Sequence, residues 1–462
     1  MLGDLISALL AALVVGVAPG WFWARLLRGP ADRAELATHS VAFSVSLVPA
    51  LALLPTYAGI PVTPAVALVS PAAVFLSGLA LYLRFGGPKA EAPPLAPQPP
   101  APPPRALPLL AAALLLAAGA AAGLFSLQAA APAFVLLAAG AALAGGRGEP
   151  GEPPAGGRLS GLLLAGILLL VLLRGYAGPV AHDWPHIRGI DKYTQAIMVD
   201  LMLSRGSLEA YMVYPPGFHT MTAAVSRLSG LEPLELFPVL APAFLLLPAL
   251  SLYALGRALW GRRCGLAAAF LGGVVLGSPY LYLAEARYPQ LISAQFLTVL
   301  AVAALFRLLA SPSLREGAVL ALLGSSVVLY HHVGAYFFAL VLAAASLLLL
   351  PPLLLRGERR RAAALVLALS ALGALSVLYA WDTYDLPRTV AGLLGGGGPG
   401  ATGEAVAGAI GTQQPFPLSH LPEPVSHPVL WLGLLGIPFA LVDRRRDRKS
   451  TRLNSSHSSI SY

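Results

Sequence analysis

Charge is scarce in this sequence. Only 11% of its 462 residues are Asp, Glu, Lys or Arg, where a soluble domain carries about a quarter. Lysine is confined to Lys89, Lys192 and Lys449, and cysteine to Cys264. One cysteine excludes an internal disulfide and any cysteine-based metal centre. Charges are also nearly missing from the middles of the apolar runs, which argues against an ion- or proton-coupled path through a bundle. Any chemistry belongs at a membrane surface.

What remains is apolar. Hydrophobic residues make up 57% of the chain, and runs of about 20 residues without interior charge recur, each long enough to cross a bilayer as a helix. Backbone in lipid must satisfy its own N–H and C=O groups, so the fold class is all-α, a polytopic transmembrane helical protein. The runs are continuous rather than alternating, which argues against a β-barrel. Spans are expected near residues 5–23, 41–57, 64–83, 107–127, 131–144, 159–173, 236–255, 265–283, 291–309, 317–330, 334–355, 362–380 and 429–442, about 13 helices in all.

Composition also divides the chain. Residues 1–146 form an N-terminal membrane region of about five spans, interrupted by a Pro-rich linker, 84–106, that favours extended polyproline II. A Gly/Pro linker, 147–158, leads to a second membrane module, 159–448, with a polar loop at 174–233. The Ser-rich residues 449–462 resemble translated adaptor sequence, on which reading the natural protein continues beyond about Asp447; a disordered native tail is the alternative. The wealth of Ala, Gly, Pro and Arg points to a GC-rich genome.

The formal charge of +9 does not imply nucleic-acid binding, because the arginines cluster in short loops at the ends of apolar runs. The first run has no basic residue before it and Arg25, Arg28 and Arg33 after it, which places the N-terminus outside. Alternate loops then carry Arg84/Lys89/Arg105, Arg147/Arg158, Arg257/Arg262/Arg263, Arg307/Arg315, Arg356/Arg359/Arg360/Arg361 and Arg444/Arg445/Arg446. Each is basic, as cytoplasmic loops are, and the C-terminus is cytoplasmic. Residues 181–219, Glu285 to Arg287, the pair His331/His332 and residues 381–428 consequently fall outside. Lipid is the expected surroundings, in a prokaryotic plasma membrane.

The stretch 181–219 holds the densest polar chemistry. Asp191 opens a helix-like run whose Ala196, Ile197, Val199, Leu201, Met202 and Leu203 suit an amphipathic interfacial helix, with Gly206 as its stop. A carboxylate at the start of a helix is also an ordinary cap. Asp200 lies about 180° around the helix from Asp191 at 3.6 residues per turn. Tyr214-Pro215-Pro216-Gly217-Phe218-His219 forms a rigid turn, in which His219 is a ligand or a satisfied interfacial histidine. His331 and His332 are functional or plain helix-end residues.

The run DKYTQAIMVDLMLSRG (191–206), the turn YPPGFH (214–219), EARYPQ (285–290) and LYHHVGAY (329–336) together resemble the GT-C superfamily of integral-membrane glycosyltransferases. The resemblance covers roughly residues 159–382 and rests on order, spacing and sidedness of short motifs. It departs from the family in the five or so spans that come first, and no compact Asp-x-Asp is present, since Asp183 and Asp191 are eight apart. It implies a GT-C-like core that transfers a sugar from a polyprenyl-phosphate donor to an extracytoplasmic acceptor. Asp191 would be the base. Arg287 would meet the leaving phosphate, with Arg188, Lys192 and Arg388 behind it; Tyr193, His219, His331 and His332 would bind substrate. Asp183 and Glu285 would be the ligands of a divalent cation, Mg or Mn, if one is used. A flippase of lipid-linked sugars and a non-catalytic scaffold of envelope assembly are the alternatives.

Overall fold

The computed structural model describes residues 2–28, 33–55, 63–86, 156–178, 191–205 and 215–383. The expected spans at 107–127, 131–144 and 429–442, the tail 449–462, and Asp183, Arg188, Gly206, Tyr214 and Arg388 lie outside them. All described residues other than Val275–Ser278 belong to one compact unit, and the packing below is that unit's.

The described residues are helical, with no strand among them. In chain order the helices are α1 Leu2–Gly16, α2 Trp21–Arg28, α3 Arg33–Leu53, α4 Pro64–Phe85, α5 Gly156–Gly178, α6 Asp191–Arg205, α7 Gly217–Ser229, α8 Pro233–Phe244 and α9 Leu246–Trp260. Then follow α10 Arg262–Phe270, α11 Ser278–Ala284, α12 Tyr288–Ile292, α13 Thr298–Ala310, α14 Leu314–Tyr330, α15 His332–Leu355 and α16 Arg359–Thr383. Two π-helical turns, Leu271–Val275 and Ser293–Leu297, follow α10 and α12.

Among the described residues, eight helical stretches are long and apolar enough to cross a membrane, or nine if α1 and α2, bent by 41°, count as one span. This is an all-α polytopic membrane protein. The runs expected at 64–83, 159–173, 317–330, 334–355 and 362–380 each lie on one helix, whereas 5–23 is broken between α1 and α2 and 265–283 between the first π-helical turn and α11. The run 236–255 lies within a longer stretch, Pro233–Trp260, that combines α8 and α9. The 17 residues of α14 give roughly 26 Å of rise, just short of a hydrocarbon core of about 30 Å.

Local chemistry sets the helix ends. Thr63 accepts the Val66 N–H at 3.2 Å to begin α4, with proline at the first position. Ser313 does the same for α14 through Glu316 N–H, also at 3.2 Å. Gly230, at φ 76°, takes the left-handed position that closes α7.

Packing then sorts core from periphery. The span Arg33–Leu53 is 72% buried, whereas His332–Leu355 is 6% buried and turns Phe337, Leu340, Leu347 and Leu348 outward. In lipid an outward apolar face costs nothing, and close approach of small residues holds helices together instead. The α9–α10 hairpin illustrates this: a side chain on Gly256 would lie 2.9 Å from the Cys264 carbonyl and 3.1 Å from the Ala268 Cβ. Polar contacts supplement it. Tyr330 donates to the Val45 carbonyl at 2.7 Å, fastening α14 to α3 inside the bundle.

Two polar groups end up at opposite ends of the same helices. Arg287 and His331 stand at the start of α12 and the end of α14. Arg307 and Glu316 stand near the other ends of α13 and α14. The fourteen steps from Glu316 to Tyr330 along α14 correspond to roughly 21 Å.

Candidate functional site

Asp191 is the first residue of α6. The helix buries Gln195, Ala196, Met198, Val199 and Met202, an i, i+3, i+4, i+7 face, against α7 and α8. That anchoring leaves Tyr193 54% exposed and Ile197 45% exposed. Asp200 is exposed too, and pairs with no cation among the described residues. Lys192 lies over the Tyr193 ring at 4.9 Å, so these two engage each other.

Arg287 comes from the break between α11 and α12. Ala286 N–H donates to the Leu283 carbonyl and Arg287 N–H to the Tyr282 carbonyl, at 3.1 and 2.8 Å, the paired bonds of a Schellman turn. Its left-handed position, usually glycine, is taken by Ala286 at φ 57°, fully buried. A non-glycine residue there is strained, so the surroundings must hold it. Two residues on, Tyr288 is fully buried among Phe218, Phe237 and Phe244 at centroid distances of 5.9, 5.2 and 6.0 Å. Phe218 belongs to the Pro-Pro turn and Tyr288 to EARYPQ, so two sequence motifs meet in one aromatic cluster.

This framework aims Arg287 Nε between two carboxylates: Glu285 Oε2 at 3.0 Å and Asp191 Oδ2 at 3.9 Å. All three side chains are between a third and a half exposed. The contact to Asp191 exceeds hydrogen-bond length, and pairs this exposed contribute little stability. An entering oxyanion can therefore displace Asp191 from the guanidinium at small cost.

The histidines differ from one another. His219 is fully buried, its Nε2 2.7 Å from Gln195 Oε1. Burial pushes it down to about 3, against a smaller opposing effect from the Pro215 carbonyl, so it is neutral at physiological pH and joins α6 to α7. The turn before it docks on α14: a side chain on Gly217 would lie 2.6 Å from the Leu329 carbonyl oxygen. His331 is 8% exposed and stacked on His332 at 4.8 Å and 17°. Burial first, then His332 and then the Arg287 cation bring it down to about 4.

Glu285 faces Arg287, Asp183 lies outside the described residues, and no group of three or more metal-ligating side chains occurs among them. Two carboxylates flanking a guanidinium do not fit a divalent cation, which the arginine would repel.

Sequence reading passed over Arg174, Gln195 and Ala286. Arg174 lies near the end of α5, over the Tyr280 ring at 3.7 Å, and donates to the Val274 carbonyl. An arginine so close to an apolar run was the signal for it. Gln195 and Ala286 had none, because a buried partner and a left-handed backbone are products of packing. An open cleft lined by Pro312, Gly357, Glu358 and Arg359 to Arg361 includes no residue of this site.

No family model, curated protein or solved structure matches the chain.

Proposed function

We propose that this chain is a membrane glycosyltransferase of the GT-C type, moving a sugar from a polyprenyl-phosphate donor to an acceptor outside the cytoplasm. In this reading it has about 13 spans with the N-terminus outside and the C-terminus cytoplasmic, and the Asp191–Arg287 end of the bundle faces the exterior. The acceptor hydroxyl attacks the anomeric carbon as the bond from that carbon to the phosphate oxygen breaks. Asp191 takes the hydroxyl proton. Arg287 turns its terminal nitrogens to the polyprenyl phosphate that leaves. Glu285 keeps the guanidinium in place, and the neutral His331 ring hydrogen-bonds a sugar or phosphate hydroxyl.

One observation carries the reading: a loosely paired carboxylate and guanidinium, 3.9 Å apart and half exposed, borne on separate elements. A purely structural ion pair would be expected to close to hydrogen-bond distance. A base and an anion-binding group that must separate to admit a substrate would not.

The test is transfer from a labelled polyprenyl-phosphate sugar by the purified protein. Asp191→Asn should lower turnover by about 10²–10⁴-fold without changing the thermal midpoint. Wild-type turnover in that variant rejects the base assignment. Movement of the labelled lipid across a vesicle bilayer without any transfer would favour the flippase instead.

A further inference from the structure

From His332 the 24 residues of α15 carry the chain roughly 36 Å away from the His331 end of the bundle. The connection they reach is strongly basic. Residues Arg356, Gly357, Glu358, Arg359, Arg360 and Arg361 set four cations against one carboxylate. Gly357, at φ 71°, closes α15: its N–H donates to the Leu354 carbonyl at 3.0 Å, and the Glu358 N–H to the Leu353 carbonyl at 2.9 Å. These are the paired bonds of a Schellman turn, and α16 starts directly after it at Arg359. Two spanning helices therefore bring their basic ends to one short corner.

Pairing within the corner accounts for one cation of the four. Arg361 donates to Glu358, whereas Arg356, Arg359 and Arg360 are exposed and form no ion pair among the described residues. Position adds to the imbalance. Arg359, Arg360 and Arg361 fill the first turn of α16, which holds no acidic residue. A helix presents its partial positive charge there, so a carboxylate is favourable and a cation is not. Orientation in the membrane asks only for basic residues near the corner, not at a helix start. What this end lacks is an anion.

The corner is also concave. Together with Pro312, from the connection between α13 and α14, residues 357–361 line an open cleft of about 450 Å³. Small-ligand sites span about 300–1,000 Å³. The approach to the cleft is apolar: Leu355, one residue before Arg356, is 88% exposed, and Leu347, Leu348 and Leu354 of α15 and Leu367 of α16 also face outward. In a span only 6% buried such side chains meet hydrocarbon. We propose that the cleft seats the headgroup of an anionic phospholipid of the surrounding membrane, a phosphodiester with net negative charge. Arg359 and Arg360 hold the phosphate, and the acyl chains leave by the open side along the leucines of α15. A lipid is the occupant because the unpaired cations adjoin leucines that hydrocarbon covers. The site is separate from Asp191 and Arg287, and stands or falls without the transfer reaction.

The test is native mass spectrometry of the full chain in an uncharged detergent, titrated with phosphatidylglycerol or with phosphatidylcholine of the same acyl chains. Phosphatidylglycerol should bind saturably and at lower concentration than phosphatidylcholine. Arg359→Gln combined with Arg360→Gln should need about 30-fold more phosphatidylglycerol, the scale of two cations at an anionic headgroup. A control, Arg33→Gln combined with Arg84→Gln, removes the same charge from two other exposed arginines and should leave the titration unchanged. Glycerophosphoglycerol, the headgroup without its chains, should not displace the lipid at equal concentration. Equal binding of the two lipids by the wild type overturns the site, and that comparison needs no variant. So does a phosphatidylglycerol preference that survives in the Arg359/Arg360 variant, or one that falls equally in the control, which marks charge in general rather than this cleft. Displacement by glycerophosphoglycerol overturns the lipid assignment in favour of a soluble phosphodiester.

Discussion

Arg287 Nε stands between Glu285 Oε2 at 3.0 Å and Asp191 Oδ2 at 3.9 Å, and the closer carboxylate is the one from its own turn. Glu285 therefore orients the guanidinium and Asp191 is the freer of the two acids. Replacing Arg287 with Gln should lower sugar transfer by about 10²–10³-fold, the scale set by losing one donor to a developing negative charge. Because the side chain is half exposed, the thermal midpoint should move little. Turnover and thermal unfolding of the same preparation check both halves.

Ala286 holds a left-handed backbone while fully buried. Ala286→Val adds a branched side chain where both the backbone and the space are unfavourable, and should destabilise by about 1–3 kcal/mol. Ala286→Gly exchanges a lost methyl contact for relief of strain and should stay within about 1 kcal/mol of the parent. Thermal unfolding in detergent ranks the three proteins.

His219 and His331, at about 3 and about 4, titrate far below an unfolded histidine near 6.5. The unfolded chain then binds more protons throughout that interval, so stability is complete above about pH 6.5 and falls with pH below it. Each histidine contributes a slope of about 1.4 kcal/mol per pH unit, His331 down to about pH 4 and His219 to about pH 3. His219→Gln should remove the His219 share of the slope between pH 6 and 4. A midpoint-versus-pH series on both proteins measures it.

Glu35 is the shared acceptor of Arg257 and Arg307. Glu35→Gln leaves two partly buried guanidinium groups facing a neutral amide, which should cost about 3 kcal/mol. Glu316→Gln, at a carboxylate 15% exposed, removes a single pairing and should cost less. The order of the two thermal midpoints is the check.

Much of the helical architecture was legible because hydropathy is local. Lipid leaves a chain no economical way to satisfy its backbone except the helix, so apolar runs such as 334–355 and 362–380 can be read from their own residues, and the structure has α15 and α16 there. The caps at Thr63 and Ser313 follow the same logic, since their partners are three residues away. Tertiary structure alone decided which charges meet. Arg257, Arg307 and Arg28 read as separate loop charges, yet the first two converge on Glu35 and the third on Glu316, across 222, 272 and 288 positions of chain. Likewise Asp191 and Arg287 belong to motifs that the sequence placed on one side without giving a distance. Their spacing depends on Tyr288 seated among Phe218, Phe237 and Phe244, and on Ala286 held at φ 57°. Periodicity reports which face of a helix is apolar; which neighbour that face meets is set by side-chain shapes filling a common interior, and that is a property of the folded chain as a whole.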